Sequence, residues 1–148
     1  DEDFFAHMEE IDLCWRIHLA GYRVMVIPQS RVYHLGGGSL PASNPRKTYL
    51  NFRNNLLLLH KNLPAHRVKP VLLRRRLLDT LAWLKFAATF DWANAAAIWR
   101  AHRDFARMRR RYIFHPDTDL LEANCPPDLL IDYYLRGIRT YDRLRHHR

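Results

Sequence analysis

The sequence predicts an α/β segment over residues 1–63 followed by a mainly α-helical extension over residues 64–148. Three observations lead there. Helical and strand-like runs alternate ahead of Pro64, whereas the periodicity behind it is helical nearly to the end. Pro64 and Pro70 punctuate the change. The charge divides as well: residues 67–111 carry 12 Lys/Arg against Asp79, Asp91 and Asp104, while the rest carries 12 basic and 12 acidic residues. The whole formal charge of +9 therefore sits in one helical stretch, which suits polyanionic partners.

Taken in order, Glu9 to Ala20 reads as a helix whose apolar positions are Ile11, Leu13, Cys14, Ile17 and Leu19, with Gly21 placed to end it. Tyr22 to Ile27 reads as a short strand stopped by Pro28, and Arg31 to Leu35 as a second one. Gly36-Gly37-Gly38-Ser39 follows as a loop able to bend or gate. Ser43-Asn44-Pro45 starts a helix running through Tyr49, Phe52, Leu56 and Leu59 to about Asn62. Behind Pro64 the pattern gives one helix from Pro70 to Phe90, and another capped by Asp91 that runs to Arg111. A last helix spans Leu129 to about Leu144, weakened but not interrupted by Gly137.

The 148 residues suit one ordinary core, and the even spread of aromatic and aliphatic side chains excludes wholesale disorder. Cys14 and Cys125 are far apart and lack metal-type spacing, so two reduced thiols are favoured over a single disulfide. The acidic N-terminus does not read as a signal peptide. The most apolar stretch, Leu77 to Trp99, is interrupted by Asp79, Lys85 and Asp91 and does not read as a membrane span. Asp1-Glu2-Asp3-Phe4-Phe5 enters a patterned region without an initiator Met, which predicts a piece of a longer protein.

Glu9, Glu10 and Asp12 put three carboxylates in the first turn of a helix. By composition alone this is a solvated helix start stabilised by the positive end of the dipole. The context is more specific. An aromatic pair, Phe4-Phe5, leads into Glu9-Glu10-Ile11-Asp12-Leu13-Cys14-Trp15-Arg16; then come Gly21-Tyr22, Ile27-Pro28, Tyr33-His34-Leu35 with Gly36 to Ser39, and Arg53-Asn54 in the next helix. This ordered set, over about Asp1 to Asn62, resembles the C-terminal part of the catalytic domain of family 2 glycosyltransferases, which have the GT-A fold.

The resemblance implies a role for each matched position. Glu10 stands where the family usually has Asp, the general base that deprotonates the acceptor hydroxyl. Glu9 and Asp12 flank it and would raise its proton affinity, and Glu9 remains the alternative base. Trp15 and Arg16 fall on the substrate side of the acidic helix. His34 would complete the shell of a divalent metal or simply be structural. Gly36, Gly37, Gly38 and Ser39 would close over donor and acceptor, and Arg53 and Asn54 would contact the donor diphosphate, brace that loop, or serve packing. The implied reaction is inverting transfer of a sugar from a nucleotide-diphospho-sugar to a hydroxyl on a glycan or lipid-linked acceptor, with Mg or Mn neutralising the leaving diphosphate. Asp1-Glu2-Asp3 spells the family's metal motif but stands in the wrong place for it, so the true one is expected outside this chain, which by itself is expected to be inactive.

Arg74-Arg75-Arg76 and Arg109-Arg110-Arg111 close the two ends of the expected helical hairpin, with Leu77, Leu81, Trp83, Trp99 and Phe105 between them. One reading is packing with solvated arginines. Another is a module lying on an anionic membrane surface, which with the resemblance implies a cytoplasmic protein peripheral at the inner face of the plasma membrane. Nucleic acid is not an expected partner, because no recognition motif accompanies the charge.

Overall fold

The structure, a computed structural model, describes residues 1–33, 44–120, 129–140 and 143. Its regular elements are all helical: α1 (Glu9–Leu19), α2 (Pro45–Asn62), α3 (Ala65–Ala88), α4 (Trp92–Met108) and α5 (Leu129–Tyr134), with 3-10 turns at Glu2–Phe4 and Arg109–Arg111. Asp1–Asp117 form one compact unit and Thr118–Arg148 another. The junction expected at residues 63/64 lies inside the first unit, where α2 packs against both α3 and α4.

The α/β class expected for residues 1–63, and with it the GT-A architecture, is overturned: among the described residues there is no strand and no sheet. Tyr22 to Ile27 leaves α1 as irregular chain with Met25, Val26 and Ile27 exposed, and residues 31–33 are likewise irregular and exposed. Strand propensity is mostly a preference for packing beside another strand, and neither run has such a neighbour among the described residues. The rest of the second expected strand, and the glycine loop, lie outside the described residues.

The helices follow from their ends and faces. α1 closes in a Schellman motif: Gly21 takes φ 83°, its amide bonds to the His18 carbonyl, and the Tyr22 amide bonds to that of Ile17. Asn44 caps α2 by accepting from the Arg46 amide at 2.9 Å, with Pro45 in the first helical position. α3 begins after Pro64, earlier than expected, and runs through Pro70, which sits on its exposed side. It ends with Phe90 in the left-handed region, a strained position for a bulky residue, while the Asp91 amide reaches back to the Phe86 carbonyl. Asp91 then caps α4 by accepting from the Asn94 amide at 3.1 Å. The last helix is shorter than its sequence suggests: α5 stops at Tyr134, Gly137 has φ 69°, and the Ile138 amide bonds to the Asp132 carbonyl. Gly137 therefore terminates this helix instead of merely weakening it.

The core of the first unit is the α2–α4 seam. Leu50, Leu56, Leu57 and Leu58 of α2 are buried, and so are Ala97, Ile98, Ala101 and Phe105 of α4. The alanines on the buried face of α4 let the two backbones approach closely, and leucines from α2 fill the space. α3 contributes less apolar burial, through Val68 and Leu72, and also buries Asp79. That carboxylate pairs with Arg75 at 2.7 Å and with His102 of α4 at 2.9 Å, joining α3 to α4 by charge. Because Ala97 is fully buried in this seam, Ala97→Leu is expected to destabilise the chain by about 1–3 kcal/mol in denaturant unfolding, whereas the same change at exposed Ala96 should be nearly neutral.

Candidate acidic site

The acidic turn is built on a lead-in loop whose backbone is held from behind by α2. Phe4 is fully buried, and Phe5, His7 and Met8 all take positive φ, at 60°, 69° and 72°. Three non-glycine residues in that region within four positions store strain, which persists only where the surroundings over-determine it. Here the clamp is Asn54: its buried amide nitrogen is shared by the carbonyls of Phe4, Ala6 and His7, each at 2.8 Å. Arg53 adds a bond to the Asp3 carbonyl at 2.7 Å and orients Asn54 by donating to its side-chain oxygen at 2.9 Å.

Asp12 is the second fixed point. It is fully buried one turn into α1. Asn62 donates to one carboxylate oxygen at 2.9 Å, while Lys61 at 3.0 Å and Arg16 at 2.8 Å share the other. Burial alone would push this carboxyl up, but the hydrogen bonds from Asn62, Lys61 and Arg16 together outweigh it, and the group sits below its ordinary range. Lys61 also pairs with Asp1 and lies over the ring of Phe4, with 5.4 Å to the centroid. Asp1 and Asp3 are drawn into the same cluster, since the single Tyr112 hydroxyl proton is shared between them and Arg111 pairs with Asp3 at 3.1 Å. Burial and the Asp3 carboxylate hold the Tyr112 phenol protonated, far above its usual range.

The three carboxylates of the turn thus separate. Asp12 is consumed inside the protein. Glu9 and Glu10 are exposed at the open end of α1, and neither bonds or pairs with another described side chain. Arg16 is committed to Asp12, and Trp15 is half-buried with its indole nitrogen buried and unpartnered. Arg53 and Asn54 face the lead-in loop. His34 and Gly36 to Ser39 lie outside the described residues. The described residues do not fit a divalent metal: no three His, Cys, Asp or Glu side chains among them converge, and Asp1 and Asp3 are taken by Lys61, Tyr112 and Arg111.

Sequence reading missed Lys61, Asn62, Arg111 and Tyr112. The legible signal was the polar pair Lys61-Asn62 just beyond the leucine run of α2, where an Asn at a buried helix position demands a partner. Comparison with protein-family models, with curated proteins and with solved structures finds no match to this chain.

Since the folded Asp12 pKa is depressed below its ordinary 3.8, the stability it contributes is present above that value and lost as pH falls through the folded value. Asp12→Asn is therefore expected to cost about 3 kcal/mol at pH 7, chiefly by removing the buried charge that Lys61, Arg16 and Asn62 are gathered to match. In thermal or denaturant unfolding the gap between variant and parent should narrow as the pH is lowered below about 4.

Proposed function

We propose that this chain carries the acceptor-activating turn of an inverting glycosyltransferase of family 2, with Glu10 as general base. The acidic turn and its ordered motifs support this without an α/β architecture, of which the described residues show none. In this reading, Glu10 takes the proton of an acceptor hydroxyl as that oxygen attacks the anomeric carbon of a nucleotide-diphospho-sugar, and the nucleoside diphosphate departs from the opposite face. Glu9 adds negative charge beside the base, Asp12 fixes the helix that carries it, and the acceptor is a glycan or a lipid-linked saccharide.

The supporting observation is the division of labour within the turn. A strained loop clamped by Asn54 and a buried Asp12 together hold two free carboxylates at the surface. A merely solvated helix start would need neither the left-handed backbone nor the buried charge, both of which cost stability. The unpartnered indole of Trp15 on the same helix is compatible with a substrate group or further chain beside it.

A second reading has its own observation. Leu73, Leu77, Leu81 and Leu84 form an exposed row on α3, flanked by Arg76 and Lys85, which suits a helix lying on an anionic membrane at the cytoplasmic face. No helix among the described residues is long and apolar enough to cross a membrane. Flotation with vesicles that is indifferent to anionic lipid would remove this reading.

For the first, the decisive measurement is sugar transfer by the chain joined to a nucleotide-sugar-binding domain. Glu10→Gln should lower kcat by about 10²–10⁴-fold with the melting temperature unchanged, and Glu9→Gln should do much less. The reverse order would assign the base to Glu9, and full activity in both variants would defeat the proposal. The isolated chain should show no tight, metal-dependent binding of sugar nucleotides in calorimetry.

A further inference from the structure

A cavity of about 420 Å³ opens between the end of α2, the first half of α3 and the 3-10 turn that follows α4. Its size falls within the range of small-molecule sites. The floor is aliphatic: Val68 and Leu72 are buried, and Leu73 carries the apolar surface outward. The rim holds Lys69, Arg76 and Arg109, none of them ion-paired among the described residues, and no described carboxylate lines the space.

Two imidazoles close one end. The rings of His60 and His115 meet edge to face with centroids 5.1 Å apart, and each has a buried Nδ1 without a hydrogen-bond partner. His60 Nε2 lies 3.2 Å from the Arg109 carbonyl. A carbonyl only accepts, so Nε2 carries the proton and Nδ1 is a bare acceptor turned away from water. Burial, with Arg109 and His115 nearby, holds this imidazole below its ordinary pKa and hence neutral. Unmatched cations above an aliphatic floor form an incomplete arrangement.

We propose that this cavity binds the phosphate or diphosphate monoester of an aliphatic alcohol, with the phosphate among Lys69, Arg76 and Arg109 and the first carbons of the chain over Val68, Leu72 and Leu73. Phosphate is favoured over carboxylate because three cations exceed what a single negative charge matches. An aliphatic substituent is favoured over a sugar because the floor offers no amide or carboxylate to bond hydroxyls. The site is separate from Glu10, and its occupancy can be measured without turnover, so its failure would leave the transfer reading standing.

The test is calorimetric titration of the chain with geranyl diphosphate below its micelle concentration, with inorganic pyrophosphate, and with geraniol. Geranyl diphosphate is expected to bind at least about tenfold more tightly than either of the others, since only it engages both floor and rim. The Arg76→Gln/Arg109→Gln double variant, and separately Lys69→Gln at an exposed rim position, should weaken it with no change in melting temperature. Leu73→Ser should weaken geranyl diphosphate while leaving pyrophosphate unaffected. Equal affinity for pyrophosphate, equal affinity for geraniol, or binding only when the phosphate is displayed on anionic vesicles would each overturn the proposal.

Discussion

The buried carboxylate of Asp12 is the constraint on which the first unit turns. A charge with no solvent exposure is tolerable only when its lone pairs are matched, and the matching groups come from two helices: Arg16 from its own, Lys61 and Asn62 from the end of α2. This fixes where α1 lies against α2. It also fixes the lead-in, because Lys61 reaches Asp1 and the ring of Phe4 while Tyr112 and Arg111 secure Asp1 and Asp3. Everything exposed at the start of α1 inherits its position from this buried cluster.

α2 consequently serves two faces at once. Its leucines meet the alanines of α4 and form the apolar seam, while Arg53, Asn54, Lys61 and Asn62 face the N-terminal loop and hold its carbonyls and carboxylate. The same division recurs more weakly in α3, where Val68 and Leu72 are buried and Asp79 bridges to His102, yet a row of leucines remains in water. Free carboxylates at one place, and unmatched cations above an aliphatic floor at another, are the features that packing leaves without an internal purpose. They are where ligand chemistry is most economically sought.

The helices were legible because their signals are local. Gly21, the Asn44-Pro45 pair and Asp91 mark ends through the conformation or hydrogen bond each residue supplies by itself, and all three act as their sequence suggests. The two expected strands failed for the converse reason. A run such as Val24-Met25-Val26-Ile27 states only that it would pack well beside another strand, and no described segment offers one. Gly137 was judged tolerable inside a helix, but its left-handed backbone ends α5, a choice between two conformations that glycine permits equally.

For the acidic turn, the sequence by itself determined that three carboxylates would crowd one helix start behind an aromatic pair, and which residue types stood in order around them. Only the tertiary structure decided that Asp12 would turn inward while Glu9 and Glu10 stayed in water, and that Asn54 would hold the loop before them. The reason is range. Dipoles, caps and glycine conformations act within a turn or two, whereas the partners of Asp12 and of the loop carbonyls stand about fifty positions further along, brought near only by the packing of α2.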